Sequence, residues 1–359
     1  MSKYWNISAP ITAHVEVTDA CNEKCKHCYN FDRSDSAPRH TITDENLKAT
    51  VDEIIKNKVM HVIITGGEPT LVMSSVAYLA KRCLENNITI SLNSNMKDVH
   101  GDKLEILKSV GIDHILTSIH ASDSKKHDAI TGAEGDWKKT IQCIQEAQQS
   151  GIRVTVNTVL TKRNTGDIYA IGELVRKIGV KQFLVNRVIP SPSNPGSCEC
   201  VNKEDVLSAF DDLIKLKEEY GMKIGTCRTV PMCLFPDLER YKDFIDRGCA
   251  AGKKHILLNV NGDAHACVSD DTVYGNIHEV GIAGVWDNMQ SWRSSLVVPK
   301  ECRMCHLFDR CDAGCRMVAL HCTGKLDGCD NLRNGFYTRE EGTYNIVRVR
   351  GAKVLFVNK

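Results

Sequence analysis

Three cysteines near the start of the chain carry the first chemistry. In "CNEKCKHC", Cys21, Cys25 and Cys28 stand three and then two residues apart, directly after an apolar, β-branched run. A four-iron cluster presents four irons to protein thiolates, so three cysteines leave one iron open to a substrate or cofactor. A catalytic zinc keeps one position free in the same way. Zinc completed by His27 or by a distant residue is the competing reading, because C-x2-C serves both metals. A second group lies far downstream: Cys249, Cys267, then Cys302-x2-Cys305-x5-Cys311-x3-Cys315, and Cys329. Alone, "CRMCHLFDRCDAGC" would pass for a fragment of a zinc ribbon.

The remaining composition narrows what these thiols can be. The chain has 17 cysteines among 359 residues, 42% hydrophobic and 25% charged residues, and a formal net charge of +1. That is enough apolar material for a packed core, so the cysteines need not serve as a disulfide framework for a small secreted domain. Metal ligation is the better reading. Without a basic block the chain has no means of holding phosphate backbones, which excludes nucleic acid as its main partner. The N-terminus "MSKYWNISAP" has no apolar signal core, and no run of roughly 20 apolar residues could span a membrane. The expected location is the cytoplasm.

The elements that must position the cysteines follow from periodicity. Short β-branched runs alternate with longer helical stretches, a pattern of parallel strands with right-handed crossovers. The strands are expected at 14–18, 61–65, 88–93, 114–119, 153–160 and 182–189. Six βα units are two short of a full barrel, and functional groups should gather at the carboxyl ends of their strands. "TITDE" offers a cap for the helix "DENLKATVDEIIKNK", and Gly179 a stop for "YAIGELVRKIG". The Pro, Ser, Asn and Gly of "PSPSNPGSCECVN" mark the exit from the sheet. The expected units are a partial barrel over 1–189, a linker with bridging helices over 190–245, a cysteine-rich domain over 246–335 and a tail over 336–359. The tail's "NIVRVRGAKVLFV" alternates like a strand pair turning at Gly351.

At the N-terminal triplet the residues carry a resemblance. "CNEKCKHC" resembles the CxxxCxxC signature of the radical SAM superfamily, in the loop after the first strand, where that family places it. "TGGEPTL" (65–71), after the second strand, resembles the family's GGEP motif. Glycine also has a physical reason to be at Gly66 and Gly67, since it lets the chain approach a ligand closely. The resemblance implies a partial (β/α)6 TIM-like barrel of the α/β class, with a four-iron cluster on Cys21, Cys25 and Cys28. It also implies S-adenosylmethionine contacts from His27, Gly66, Gly67, Glu68, Pro69, Ser94, Asn95, Ser118, Asn157 and Val188. "HDAITG" (127–132) resembles the family's stretch after the fourth strand. His120 and Arg187 could reach the site, although a solvated or core-satisfied role suits each.

The C-terminal spacing is similar to that of the SPASM domain, which binds two auxiliary four-iron clusters and would bring the total to three. By that resemblance Cys302, Cys305, Cys311 and Cys329 close one cluster, and Cys249, Cys267 and Cys315 hold the other. Several relatives place a fourth cysteine six residues after the first, where this chain has His255. His255, Cys227, Cys233 or a substrate thiolate could complete that cluster. Cys83 and Cys143, on helical stretches, fit burial as small hydrophobes. Cys198, Cys200 and Cys322 have no evident partner, and Asp270, Asp271 and Tyr274 read as solvated loop residues.

The implied activity is reductive cleavage of S-adenosylmethionine, followed by hydrogen abstraction and oxidative modification of a ribosomally made peptide or protein side chain. The product would be a thioether, a carbon–carbon crosslink or an oxidised side chain. A flavodoxin or ferredoxin would supply electrons. With twenty residues before Cys21, a separate leader-peptide recognition protein or direct substrate binding is expected. The alternatives are an anaerobic sulfatase-maturing enzyme forming formylglycine and a zinc-organised non-catalytic scaffold. The first is weakened because Val268 stands where that branch has an aspartate. The residue serving as acid or base is not identified.

Overall fold

The computed structural model describes residues 7–29, 39–190, 200–245, 247–340, 343–350 and 353–357. The six expected strands form: β1 (Thr12–Glu16), β2 (His61–Thr65), β3 (Thr89–Asn93), β4 (His114–Ser118), β5 (Arg153–Leu160) and β6 (Gln182–Arg187). The helices between and after them are α1 (Asp44–Lys56), α2 (Met73–Glu85), α3 (Asp102–Ser109), α4 (Ser124–Thr131), α5 (Asp136–Gln149), α6 (Ile168–Lys177) and α7 (Lys203–Tyr220). Neighbouring strands pair in parallel from β1 through β6. This is the parallel α/β sheet expected of a partial barrel.

Local chemistry sets the helix ends. The Thr43 hydroxyl accepts from the Asn46 amide at 3.2 Å and starts α1. Asn202 and Asp205 form a reciprocal capping box on α7, which ends at Gly221 in the left-handed region, a conformation that costs glycine little. One face of each strand is apolar: Ala13, Val15, Val62 and Ile64 are fully buried in one continuous core. The alternate face carries His14, Thr65, Ser91, Asn93, Ser118 and Asn157, so the lumen is lined with polar groups. His61 reaches Thr89 and Ser91 there at 2.8 and 3.1 Å, and His114 reaches Thr155 at 2.9 Å.

The sheet is wider than the sequence suggests. β7 (Lys223–Gly225) extends it beyond β6, while β8 (His255–Leu258) pairs in parallel with the free edge of β1 and β9 (Ala264–His265) folds back against β8. The order is therefore β7-β6-β5-β4-β3-β2-β1-β8-β9, and strand pairing crosses the boundary expected at 246. A four-residue strand with no alternation carried too little periodicity to be found. Helix α8 (Ile277–Asn288) bends at Gly281, where the Ile282 amide donates to the Glu53 carboxylate of α1 at 2.8 Å.

The tail forms a separate antiparallel sheet of β10 (Phe336–Glu340), β11 (Thr343–Arg350) and β12 (Lys353–Val357). The expected strand pair is present with one further strand, and its turn at Gly351 lies outside the described residues. Among the described residues no helix is long and apolar enough to cross a membrane.

Candidate functional site

The loop after β1 carries Cys21, Cys25 and Cys28, and two distant segments hold its backbone. From one side, the Gly67 amide donates to the Thr18 carbonyl and the Glu68 amide to the Ala20 carbonyl, both at 2.7 Å. From the other, the Lys24 amide donates to the Thr131 carbonyl at 2.8 Å and the Lys26 amide to that of Ile130 at 3.0 Å. A Cβ on Gly66 would sit 2.1 Å from the Thr18 carbonyl oxygen, one on Gly67 2.0 Å from that of Ala20, and one on Gly132 2.9 Å from that of Lys24. The glycines of "TGGEPTL" and "HDAITG" are thus required by the cysteine loop. The close approach that the packing itself requires at Gly66 and Gly67 is that of the cysteine loop.

Glu68 organises the next layer. Its carboxylate, 1% exposed, accepts from the Thr70 amide and hydroxyl at 3.0 and 2.6 Å, the Ser94 hydroxyl at 2.8 Å and the Asn95 amide at 2.7 Å. Burial raises its pKa, and those donors work against the shift. With its oxygens so occupied, Glu68 positions the strand ends. Asn95 passes the constraint on, its side-chain amide donating to Asn22 within the cysteine loop at 2.7 Å. Pro69 is buried and opens a helical turn. Ser118 and Asn157 are register partners on β4 and β5, and Val188, 4% exposed, follows β6. The buried Asn157 side-chain oxygen has no hydrogen-bond partner, an unmet demand that a ligand donor would satisfy.

Sequence reasoning treated His120 singly, but the structure places it in a histidine cluster. The His27 and His120 rings meet edge to face at 4.3 Å, and His120 stacks on His127 at 5.8 Å. His127 Nδ1 accepts from the His120 amide at 3.1 Å, so its Nε2–H donates to Asp136 at 3.0 Å. Burial lowers the His27 pKa to about 4, and its Nδ1 has no hydrogen-bond partner. Beside it, the Cys25 thiol donates to Glu23 at 3.0 Å. Burial, reinforced by Asp136, lifts Glu23 to about 8. Only three-dimensional proximity reveals this cluster, because its members come from three separate loops and helices.

The later cysteines assemble as two groups. Cys249, Cys267 and Cys315 perturb one another electrostatically, with Arg228 beside Cys267. Cys302 has Cys311 and Cys329 as neighbours, and Cys302, Cys305 and Cys311 line one cavity. Cys233 lines that cavity too, so it belongs beside this group and not beside Cys249, where the sequence had left it as a candidate. Amide and guanidinium donors point at the sulfurs: Met232 to Cys311 at 3.2 Å, Ser269 to Cys267 at 3.4 Å and Arg333 to Cys329 at 3.2 Å.

Burial pushes the thiols of Cys21 and Cys302 up to about 12 and those of Cys249 and Cys311 to about 11. Thiolates buried this way need a cationic centre, and sulfur-directed donors suit an iron–sulfur cluster. Among the described residues no three His, Cys, Asp or Glu side chains converge on a single ion. A cluster is wider than an ion and holds its thiolates farther apart. The donor sets fit clusters.

Some expectations resolve differently. Arg187 is core-satisfied: it pairs with Asp330 and donates to Asn331 and the Thr229 carbonyl at 3.0 Å. Asp270 is 5% exposed, not solvated, because Thr272 and the turn from Cys267 enclose it, and one carboxylate oxygen lacks a partner. The Tyr274 hydroxyl accepts from Trp292 at 2.7 Å. Cys83 and Cys143 are buried at 0% and 3% exposure, Cys322 is exposed, and Cys198 lies outside the described residues.

Residues 15–175 match the radical SAM superfamily, and residues 249–306 match SPASM, an iron-sulfur cluster-binding domain. The chain is a radical SAM enzyme with a SPASM domain, and its cofactors are S-adenosylmethionine and iron–sulfur clusters. It is 24% identical over 333 residues to the AdoMet-dependent heme synthase of Methanosarcina barkeri, covering 88% of this chain and 94% of that protein. It is 25% identical over 338 residues to the PqqA peptide cyclase of a Methylobacterium species, covering 90% and 86%. Its fold superposes on Streptococcus suis SuiB bound to the precursor peptide SuiA with a TM-score of 0.74 at 19% identity, over 90% of this chain and 75% of that one. For anSMEcpe with bound AdoMet the TM-score is 0.70 at 16% identity, over 90% and 94%.

Proposed function

We propose that the chain oxidatively modifies a ribosomally made peptide, forming a thioether or carbon–carbon link or oxidising a side chain. When bound, a four-iron cluster and S-adenosylmethionine supply an electron and a 5′-deoxyadenosyl radical. Cys21, Cys25 and Cys28 hold that cluster, leaving one iron open. The Gly66–Gly67 and Ile130–Gly132 segments fix the cysteine loop. Glu68 orients Ser94 and Asn95 toward the cofactor, Asn157 offers its free oxygen, and His27, Ser118 and Val188 complete the pocket. Cys302, Cys305, Cys311 and Cys329 hold one auxiliary cluster, and Cys249, Cys267 and Cys315 hold another, giving three in all. These would accept the electron released by substrate oxidation. The reading divides the chain into a partial barrel to 189, bridging helices to 245, an auxiliary-cluster domain to 335 and the tail after it, with β8 of the third unit joined to the sheet of the first.

The observation that carries this reading is the double backbone clamp on the cysteine loop, which holds three thiols beside the polar strand ends and the unpartnered Asn157 oxygen. The likeness to PqqA peptide cyclases and to SuiB with its precursor peptide supports a peptide substrate. A ferredoxin or flavodoxin would reduce the enzyme, and a separate recognition protein would present the leader. The formylglycine reading still lacks its aspartate, since Val268 follows Cys267.

The likeness to AdoMet-dependent heme synthases favours a second reading, a haem-precursor tetrapyrrole as substrate. The test is to reduce the anaerobically reconstituted enzyme with S-adenosylmethionine and supply either peptides encoded beside its gene or haem precursors. The first reading expects 5′-deoxyadenosine with a peptide mass loss of about two daltons, the two hydrogens lost in the oxidation. Turnover with precursors and unaltered peptides would transfer the assignment to the second.

A further inference from the structure

Three thiols at Cys249, Cys267 and Cys315 leave one iron of a four-iron cluster without a protein ligand. We propose that His255 Nε2 is that ligand. The inference rests on the auxiliary-cluster reading above and adds to it the identity of the fourth donor.

The backbone places His255 at the site. β8 and β9 pair with Leu257 opposite His265 and Leu258 opposite Ala264, so the start of β8 runs toward Cys267, two residues beyond the end of β9. Beyond the paired residues the two segments are joined through Gly252, whose amide is shared between the His255 carbonyl at 3.1 Å and the Ala266 carbonyl at 3.2 Å, one residue before Cys267. Arg228 perturbs both His255 and Cys267, so the two side chains share one surrounding.

The side chain is prepared for such a role. His255 Nε2 is buried and has no hydrogen-bond partner, an unmet demand that a metal ion would satisfy. His14 packs edge-on against its ring at 5.0 Å and restricts its rotation.

One rival thiol sits with the other cysteine group, and the other is exposed. Cys233 lines the cavity of Cys302, Cys305 and Cys311 and accepts from the Asn334 amide at 3.3 Å. The exposed Cys227 lies on the loop whose amide donates to Asn186 at 2.7 Å. A neutral imidazole in place of a thiolate leaves the cluster one negative charge fewer. That raises its reduction potential, as histidine ligation does in Rieske centres, and suits a cluster that takes up an electron.

The test uses the full chain with Cys21, Cys25 and Cys28 replaced by alanine, reconstituted anaerobically, so that only auxiliary clusters are observed. Iron should be about eight per chain. Pulsed EPR of the reduced protein should show a nitrogen coupling that changes when histidine is labelled with 15N. In the His255→Cys variant iron should be unchanged, the coupling absent and the midpoint potential more negative. About eight irons with no histidine coupling, or a coupling that survives in His255→Cys, would overturn the ligand assignment alone. About four irons would overturn it together with the auxiliary-cluster reading.

Discussion

Replacing Gly67 by alanine should empty the N-terminal cluster site while leaving the rest of the protein standing. The added Cβ would lie 2.0 Å from the Ala20 carbonyl oxygen, 2.5 Å from its carbon and 2.7 Å from the Asp19 carbonyl oxygen. All three are backbone atoms, so no side-chain rotamer can relieve the overlap. Normal contact requires the cysteine loop to retreat by roughly 1 Å, which breaks the bonds from Gly67 to Thr18 and from Glu68 to Ala20. Overpacking costs about 1–3 kcal/mol, and each lost bond adds about 1 kcal/mol. The cheapest relief is movement of the loop itself, which carries Cys21 one residue beyond Ala20. After anaerobic reconstitution, Gly67→Ala should therefore lose about four irons per chain and all 5′-deoxyadenosine formation. Its Tm should fall by no more than a few degrees. Gly166→Ala serves as the control, since a Cβ there meets nothing within 4 Å and no positive φ is needed. A Gly67→Ala protein with full iron and wild-type deoxyadenosine yield would refute the claim that this glycine sets the loop's position.

Asp330→Asn should lower stability by about 3–5 kcal/mol, because it strands the buried Arg187 guanidinium without its counter-charge. A Tm within a degree of wild type would contradict this. Cys233→Ala should keep full iron, since Cys302, Cys305, Cys311 and Cys329 suffice, whereas Cys302→Ala should lose about four irons; iron loss in the Cys233 variant would promote it to a ligand. For Glu53, burial alone would raise the pKa, but hydrogen bonds from Lys56, the Ile282 amide and Asn57 outweigh it and hold the carboxylate below 4.5. A depressed acid contributes stability that is complete above its unfolded pKa and lost as pH falls through the folded value. The Tm gap between wild type and Glu53→Gln should hence shrink as pH drops below 4.5, and a constant gap would exclude this linkage.

The parts legible in the sequence were those written in local order. Strand runs such as His61–Thr65 and Arg153–Leu160 follow their β-branched residues, Val62–Thr65 and Val154–Val159, to within one residue at each end. The cysteine triplet and the later cysteine ladder declare themselves by spacing alone. What stayed hidden was pairing across long separations. Nothing in "HILL" announces that His255–Leu258 lies against β1 some 240 residues earlier. Nothing near Arg187 announces Asp330, and Cys233 reveals its neighbours only once Cys302, Cys305 and Cys311 are folded around the same cavity. Gly66 and Gly67 were recognised as special, but their demand comes from Thr18 and Ala20, partners that spacing along the chain cannot name.

Those long-range pairings explain why six βα units suffice. A sheet of six parallel strands leaves two exposed edges whose unpaired amides and carbonyls would have to be covered. The cysteine-rich segment covers one through β8, and β7 covers the other. At one edge β8 pairs with β1, setting His255 beside Thr12. At the other, Arg187 at the end of β6 is held by Asp330, which also accepts from the Cys315 amide at 2.8 Å. The same segment thus closes the fold and brings its thiols to the barrel. From Thr12 to Glu16 is four residue steps, about 13 Å at roughly 3.3 Å per residue. One strand's length therefore separates the flank of His255 from the strand end that leads into Cys21. Between them run the polar lumen residues His14, Ser91 and Thr155. The missing barrel strands and the cysteine-rich segment are thus one solution to one problem: β8 takes the edge position beside β1 that a further barrel strand would hold.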